Sequence, residues 1–128
     1  MTHRILVIDD EAPIRENLLR FLRLEGLTVE EAADGHAALA MLRSRPFDLV
    51  FCDVMMPHCD GFEVLRHMQA DAALCAIPVV FLSASAEPEK LQDGLAMGAR
   101  LYITKPFNLH QLRQALHDLL PPAAESAP

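Results

Sequence analysis

The sequence predicts an α/β fold in which a parallel sheet is covered by helices on both faces. Short apolar runs rich in Val, Ile and Phe recur five times, and helix-like segments separate them. Three of these runs are continuously apolar, which is typical of parallel strands that are buried on both faces. The chain has 128 residues, of which 52% are hydrophobic, so we expect one domain with a substantial core.

The first strand and the first helix are predicted from the amino-terminal 26 residues. The apolar run RILVI predicts a strand at residues 4–8. Apolar side chains then recur at helical spacing between Ile14 and Leu22, which predicts a helix at residues 13–24. Pro13 favours a helix start, and Gly26 favours a helix end.

The same alternation continues along the chain. The remaining strands are predicted at residues 27–32, 48–52, 79–83 and 100–104. The remaining helices are predicted at residues 35–43, 62–71, 88–97 and 109–119. Gly98 is interpreted as the stop of the fourth helix, and Asp60 as a turn residue. Residues 1–120 are therefore expected to form the domain, and residues 121–128, PPAAESAP, a flexible tail or the start of a linker.

Charge and composition argue against several classes of protein. The net charge is −7 and no basic run offsets it, so we expect no direct binding to nucleic acid. No apolar run approaches the roughly 20 residues that span a bilayer, and the first residues lack a signal-peptide core, so we expect a cytoplasmic protein without a membrane segment. The three cysteines form no CxxC pair, so neither a disulfide framework nor a zinc site is indicated.

Polar side chains stand where four of the predicted strands end. Because the carboxyl ends of parallel strands meet at one edge of the sheet, where ligands bind in such folds, we expect these side chains to converge. They are Asp9 and Asp10 after the first strand, Asp53 after the third, Ser83 at the end of the fourth and Lys105 after the fifth.

The predicted cluster suits a cation and phosphoryl chemistry. Carboxylates that crowd together disfavour one another's ionised form, and a bound cation removes that penalty. Carboxylate oxygens, completed by water and phosphate oxygens, are the ligands that Mg²⁺ prefers. A carboxylate can also accept a phosphoryl group while a lysine and a hydroxyl stabilise the transferred oxygens. Asp53, which stands alone at the middle of this edge, is the best candidate for the nucleophile.

Four segments together resemble the receiver domain of two-component response regulators. They are VIDDE, DVMMPHCDG, VVFLSA and YITKPF, in this order and spacing. The resemblance covers residues 4–120 and implies a flavodoxin-like (βα)5 fold with strand order 2-1-3-4-5. It also implies a signalling module rather than a turnover enzyme, in which a sensor histidine kinase or phosphotransfer protein donates a phosphoryl group to an aspartate.

The resemblance assigns roles to individual residues. Asp53 corresponds to the phosphoacceptor, and Asp9 and Asp10 to the acidic pair that holds Mg²⁺, for which Mn²⁺ is a substitute. Met55 would add a backbone carbonyl to the metal site. Lys105 would contact the phosphate, Ser83 and Tyr102 would form the switch, and the Lys105–Pro106 bond is expected to be cis.

The resemblance also implies how the signal is read and how long it lasts. Phosphorylation would change the surface of helix 4, strand 5 and helix 5, which an output domain, a downstream protein or a second copy of the chain would contact. Met55 and Ser85 occupy the positions that tune dephosphorylation. Neither is suited to hold an attacking water, so we expect slow loss of phosphate.

Plainer interpretations stand beside these roles. Ser83 could satisfy a strand end, Lys105 could be an exposed loop residue, and Tyr102 could be ordinary sheet packing. Acids in a first helical turn often only complement the helix dipole, and for Glu11 this is the preferred interpretation. A small Mg²⁺-dependent phosphohydrolase is the alternative function. A nucleotide or flavin binder is disfavoured because the first strand-to-helix turn, DDEAPI, has no glycine.

Overall fold

Five parallel strands and five helices alternate along the chain in a computed structural model that describes residues 3–84 and 88–120. The strands are β1 (Arg4–Ile8), β2 (Thr28–Ala32), β3 (Leu49–Asp53), β4 (Val79–Ser83) and β5 (Leu101–Thr104). The helices are α1 (Ala12–Leu24), α2 (Gly35–Ser44), α3 (Gly61–Gln69), α4 (Pro88–Met97) and α5 (Leu109–Leu119).

The strands form one sheet in the order β2-β1-β3-β4-β5, with every neighbouring pair parallel. The predicted flavodoxin-like fold and its strand order are therefore confirmed. Order reverses beside β1, so the crevice at the carboxyl ends of β1 and β3 lies where ligands bind in such sheets.

Helices cover both faces of the sheet, as the continuously apolar strands predict. One core contains apolar side chains of α1 and α5 against Val7, Phe51 and Leu82. The other contains side chains of α2 and α3 against Ile8 and Phe81. No helix in the described part of the chain combines the length and the apolar character that crossing a membrane requires.

Most element boundaries agree with the prediction, the others differ by one or two residues, and one of these shifts matters for the site. The prediction placed Asp53 after the third strand, whereas it is the last residue of β3 and pairs with Leu82 of β4. Its backbone is thus held by the sheet rather than by a loop. The third helix starts at Gly61, because Asp60 accepts a hydrogen bond from the Glu63 amide at 2.9 Å and caps it.

Candidate functional site

Three carboxylates gather at the carboxyl edge of β1 and β3. Register pairs Ile8 with Cys52, so the next residues, Asp9 and Asp53, lie side by side. Asp9 and Asp53 are buried, at 0% and 3% exposure, whereas Asp10 is exposed. One carboxylate oxygen from each of the three lies within 4.8 Å of the others. The structure therefore brings together the three acids that the sequence predicted to converge.

Asp9 is fixed by the backbone around it. The Asp9 amide donates to the carbonyl of Ala32 at 3.1 Å, which continues the sheet beyond β1. The amide of Glu11 donates to Asp9 Oδ1 at 2.9 Å, and Arg15 Nη1 donates to the Asp9 carbonyl at 2.6 Å. These bonds hold a buried carboxylate in one orientation, as a preorganised ligand site requires.

Lys105 supplies the positive charge at this edge. Its ammonium group lies 3.0 Å from Asp9 Oδ2, 3.3 Å from Asp53 Oδ1 and 3.3 Å from Glu11 Oε1. The side chain is only 8% exposed, and the Lys105 amide donates to the carbonyl of Ser83 at 2.7 Å. The bond between Lys105 and Pro106 is cis. Lys105 is thus a buried group of the site rather than an exposed loop lysine.

The electrostatics of the site show an excess of acid. The pKa of Asp53 is raised to about 7, first by burial and then by the charge of Asp9, while Lys105 acts in the opposite direction. Burial acts to lower the pKa of Lys105, but the hydrogen bond to Asp9 and the charges of Asp53 and Asp9 outweigh it, so that pKa is raised. Without a cation, Lys105 is therefore held charged, and Asp53 binds a proton more readily than a free carboxyl group does.

Ser83 and Tyr102 lie on β4 and β5, the two strands that follow β3 in the sheet. Ser83 is buried as the last residue of β4 and pairs with Thr104. Tyr102 is half-buried on β5, opposite Phe81, with the two ring centroids 6.3 Å apart in an edge-to-face arrangement. Phe81 makes a second such contact with Phe62 of α3 at 5.3 Å. The tyrosine therefore packs on its sheet neighbour, at the end of a row of three rings.

The loop after β3 leads from Asp53 to Gly61, whose backbone lies against the Asp53 carbonyl. Met55 is 60% exposed, two residues beyond Asp53. At Gly61 a Cβ atom would lie 2.7 Å from the Asp53 carbonyl oxygen, so a residue without a side chain is needed there. Ser85, the other residue predicted to tune dephosphorylation, lies outside the described residues.

Comparison with known proteins identifies the family. A sequence model described as the response regulator receiver domain matches residues 5–117. The chain belongs to the response regulator receiver family. The receiver is 41% identical over 120 residues to the response regulator MprA of Mycobacterium ulcerans, covering 94% of the chain and 51% of that protein.

Two further relatives support the same assignment. The phosphate regulon transcriptional regulatory protein PhoB of Escherichia coli is 40% identical over 112 residues, covering 88% of the chain and 49% of PhoB. The solved chemotaxis protein CheY4 of Vibrio cholerae superposes with a TM-score of 0.88 at 35% identity, covering 94% of the chain and all of CheY4. The receiver spans about half the length of the curated relatives it matches.

The family assignment makes the chain a signalling domain of two-component systems and does not favour the phosphohydrolase alternative. Receiver domains bind Mg²⁺ at an acidic pocket, and the cluster of Asp9, Asp10 and Asp53 could hold a metal ion. Each acid offers a hard oxygen ligand at the right spacing for a small divalent cation, so the residues present fit the metal.

Sequence reasoning missed two contacts of the receiver. Glu11, interpreted as a helix-dipole partner, makes no side-chain bond to the start of α1 and instead contacts Lys105. No local signal marks that pair, because 94 positions separate the two residues. Asp60, interpreted as a turn residue, forms a reciprocal capping box with Glu63. Here the Asp-x-x-Glu spacing was a usable signal.

Proposed function

We propose that this receiver accepts a phosphoryl group on Asp53 from a sensor histidine kinase or a phosphotransfer protein, in a Mg²⁺-dependent reaction. One observation carries the proposal. Asp53 is a buried carboxylate at the carboxyl edge of the sheet, in contact with Lys105 and within metal-sharing distance of Asp9 and Asp10. This combines a nucleophile, a cation for the transferred oxygens and a divalent-metal site.

Asp9, Asp10 and Asp53 are proposed to hold the metal, with the backbone carbonyl of Met55 as a further ligand and Mn²⁺ as a substitute ion. When bound, the ion neutralises the acids and the oxygens of the incoming phosphoryl group. Asp9 is already anchored by its backbone bonds, so its carboxylate keeps its direction when the site is loaded. Asp10 is exposed and is the ligand most open to solvent.

The proposed chemistry at Asp53 is a direct transfer. A carboxylate oxygen of Asp53 attacks the phosphorus of the donor phosphohistidine. A new O–P bond forms while the P–N bond breaks, and the electron pair leaves with the donor imidazole. Lys105 donates to the transferred oxygens, whose negative charge must be stabilised in a site largely closed to water. The buried position of Asp53 limits access for competing water.

The proposed switch links Asp53 to the surface through Ser83 and Tyr102. Ser83 lies at the end of β4, next to β3, where its hydroxyl would move toward the phosphoryl oxygens. Tyr102 would then turn inward, and the surface formed by α4, β5 and α5 would change. An output domain, a downstream protein or a second copy of the chain would bind that surface.

Two further proposals concern the chain beyond the site. Residues 1–120 form the receiver, and residues 121–128 act as a tail or as a linker to an output domain. Relatives such as the PhoB protein are about twice as long as this chain, which is consistent with a linker. Met55 is proposed to shield the phosphoryl group, because its exposed apolar side chain cannot hold an attacking water.

Intact-mass measurement after incubation with acetyl phosphate and Mg²⁺ tests the function. We expect one phosphoryl group per chain, none in Asp53→Asn, and none when EDTA replaces Mg²⁺. Glu30→Gln, which removes a carboxylate far from the site, serves as the matched control and should be labelled like the parent. Equal labelling of Asp53→Asn and the parent would refute the assignment.

A further inference from the structure

Glu11 occupies an unusual position at the start of α1. It is the residue that precedes the helix, yet its side chain makes no capping bond there. Its carboxylate instead lies 3.3 Å from the ammonium group of Lys105. The Glu11 side chain is 58% exposed, whereas the side chains of Asp9 and Asp53 are 0% and 4% exposed. Glu11 is therefore the solvent-facing member of the three acids on this lysine.

Lys105 has as many acceptors around it as it has hydrogens to donate. An ammonium group carries three N–H donors. Among the described residues, the carboxylates of Asp9, Asp53 and Glu11 surround it within 3.0–3.3 Å. A phosphoryl oxygen on Asp53 would therefore compete with these contacts for the hydrogens of Lys105.

Glu11 is the contact that costs least to lose. The contact with Asp9 is the shortest of the three and is buried. The contact with Asp53 joins Lys105 to the acceptor itself. The Glu11 carboxylate faces solvent, so water solvates it once it leaves Lys105, and an ion pair with such an exposed member contributes little to stability. Glu11 also stands outside the three-acid group that could hold a metal.

We propose that Glu11 is a positioning residue that holds Lys105 in the unphosphorylated receiver and releases it to the phosphoryl group. The inference rests on the proposed function, because it concerns the same transfer to Asp53. A cavity of about 410 Å³ beside the pair leaves room for the two side chains to separate. Its lining includes Glu11, Ile14, Lys105, Pro106 and Phe107. Glu11 thus opposes phosphorylation by competing for Lys105.

The first test compares initial rates of phosphorylation by acetyl phosphate with Mg²⁺. Glu11→Gln weakens the competing contact and should raise the rate about two- to fivefold, the factor to which an exposed ion pair corresponds. Glu11→Asp keeps the charge but shortens the side chain by one methylene, so it should raise the rate similarly. Glu16→Gln removes an exposed carboxylate elsewhere on α1 and should leave the rate unchanged.

The second test observes Lys105 directly. The chain has only two lysines, Lys90 and Lys105, so Lys90→Arg leaves one lysine signal in a spectrum of lysine-labelled protein. In the metal-free state, Glu11→Gln and Glu11→Asp should both shift the Lys105 side-chain signal, and Glu16→Gln should not. This measurement needs no phosphorylation, so it is independent of the proposed function.

The outcomes distinguish the positioning role of Glu11 from the proposed function of the receiver. If Glu11→Asp behaves like the parent while Glu11→Gln and Glu16→Gln both accelerate labelling, net charge is responsible and the positioning role is wrong. A slower Glu11→Gln, or an unmoved Lys105 signal in both Glu11 variants, would also overturn it. If Asp53→Asn is phosphorylated like the parent, the proposed function is wrong. The Lys105 signal would still test whether Glu11 positions the lysine.

Discussion

Two groups of charged side chains lie beside the sheet, and they differ in exposure and in the balance of positive and negative charge. Around Glu30, near the amino end of β1, Arg4 and Arg45 lie at 2.6 and 2.9 Å from one shared carboxylate. Their side chains are 38% and 43% exposed. At the carboxyl edge, Lys105 contacts three carboxylates, and its side chain is 8% exposed.

The difference shows which charges stabilise the fold and which are kept for another purpose. The Glu30 group has at least as much positive as negative charge and stays in contact with solvent, so each pair adds at most about 1 kcal/mol. The carboxyl edge has more negative than positive charge and little contact with solvent. The pKa of Asp53 is raised because its charged form is disfavoured there. An arrangement that is costly without a cation is suited to bind one.

The largest expected effect comes from removing the one lysine of the carboxyl edge. Lys105→Met leaves the buried Asp9 and Asp53 without their partner, so in EDTA at pH 8 we expect a loss of about 2 to 4 kcal/mol in unfolding free energy. Arg45→Gln, the matched change in the Glu30 group, should lose less than about 1 kcal/mol. Urea unfolding measures both, and equal losses would show that the two groups are energetically alike.

The pH dependence of stability should differ between the two groups. The pKa of Asp53 rises from 3.8 to about 7 in the folded chain, so the folded state binds this proton more tightly than the unfolded state does. The resulting stabilisation is complete below about pH 4 and is lost as pH rises through about 7.

Metal-free unfolding of the parent and of Asp53→Asn from pH 4 to 8 isolates this contribution. The difference in unfolding free energy should shift in favour of Asp53→Asn as pH rises. Glu30→Gln, which removes the carboxylate of the other charged group, is the control. A constant difference between Asp53→Asn and the parent across the range would mean that Asp53 titrates normally in the folded chain.

The smallest expected effect concerns water at the carboxyl edge. Met55→Asn places an amide that can hold a water near Asp53, so we expect the phosphoryl group to be lost about two- to tenfold faster, below the range of full general-base assistance. Decay of the phosphorylated mass after removal of the donor measures the rate. Leu109→Asn, the same kind of change at an exposed apolar residue of α5, is the control. Equal decay in Met55→Asn and the parent would remove Met55 from this role.

The sequence allows most of the fold to be predicted, because buried parallel strands are continuous apolar runs. Two of the five strands, β1 and β4, begin and end where predicted. The position of Asp53 inside β3 was missed, since a carboxylate at a strand end carries no signal of sheet pairing. The convergence of Asp9, Asp10, Asp53 and Lys105 could be predicted because the carboxyl ends of parallel strands meet at one edge of the sheet.

The contact between Glu11 and Lys105 could not be predicted in the same way. Backbone topology places the start of α1 and the end of β5 on one edge, but it does not determine where long side chains reach. Glu11 has the side chain and position of an ordinary acid at a helix start, and only the structure shows that its carboxylate contacts the lysine. Side-chain direction is thus the part of the site that the pattern leaves open.

The stability of Asp53→Asn with and without Mg²⁺ tests the central claim, that the carboxyl edge gives up stability in order to bind a cation. In EDTA at pH 8 the variant should be more stable than the parent, because a buried repulsive charge is gone. With saturating Mg²⁺ the parent should gain more stability than the variant, because the ion binds the folded site that holds three acids. A variant that is less stable than the parent in EDTA, or that gains as much from Mg²⁺, would contradict the account.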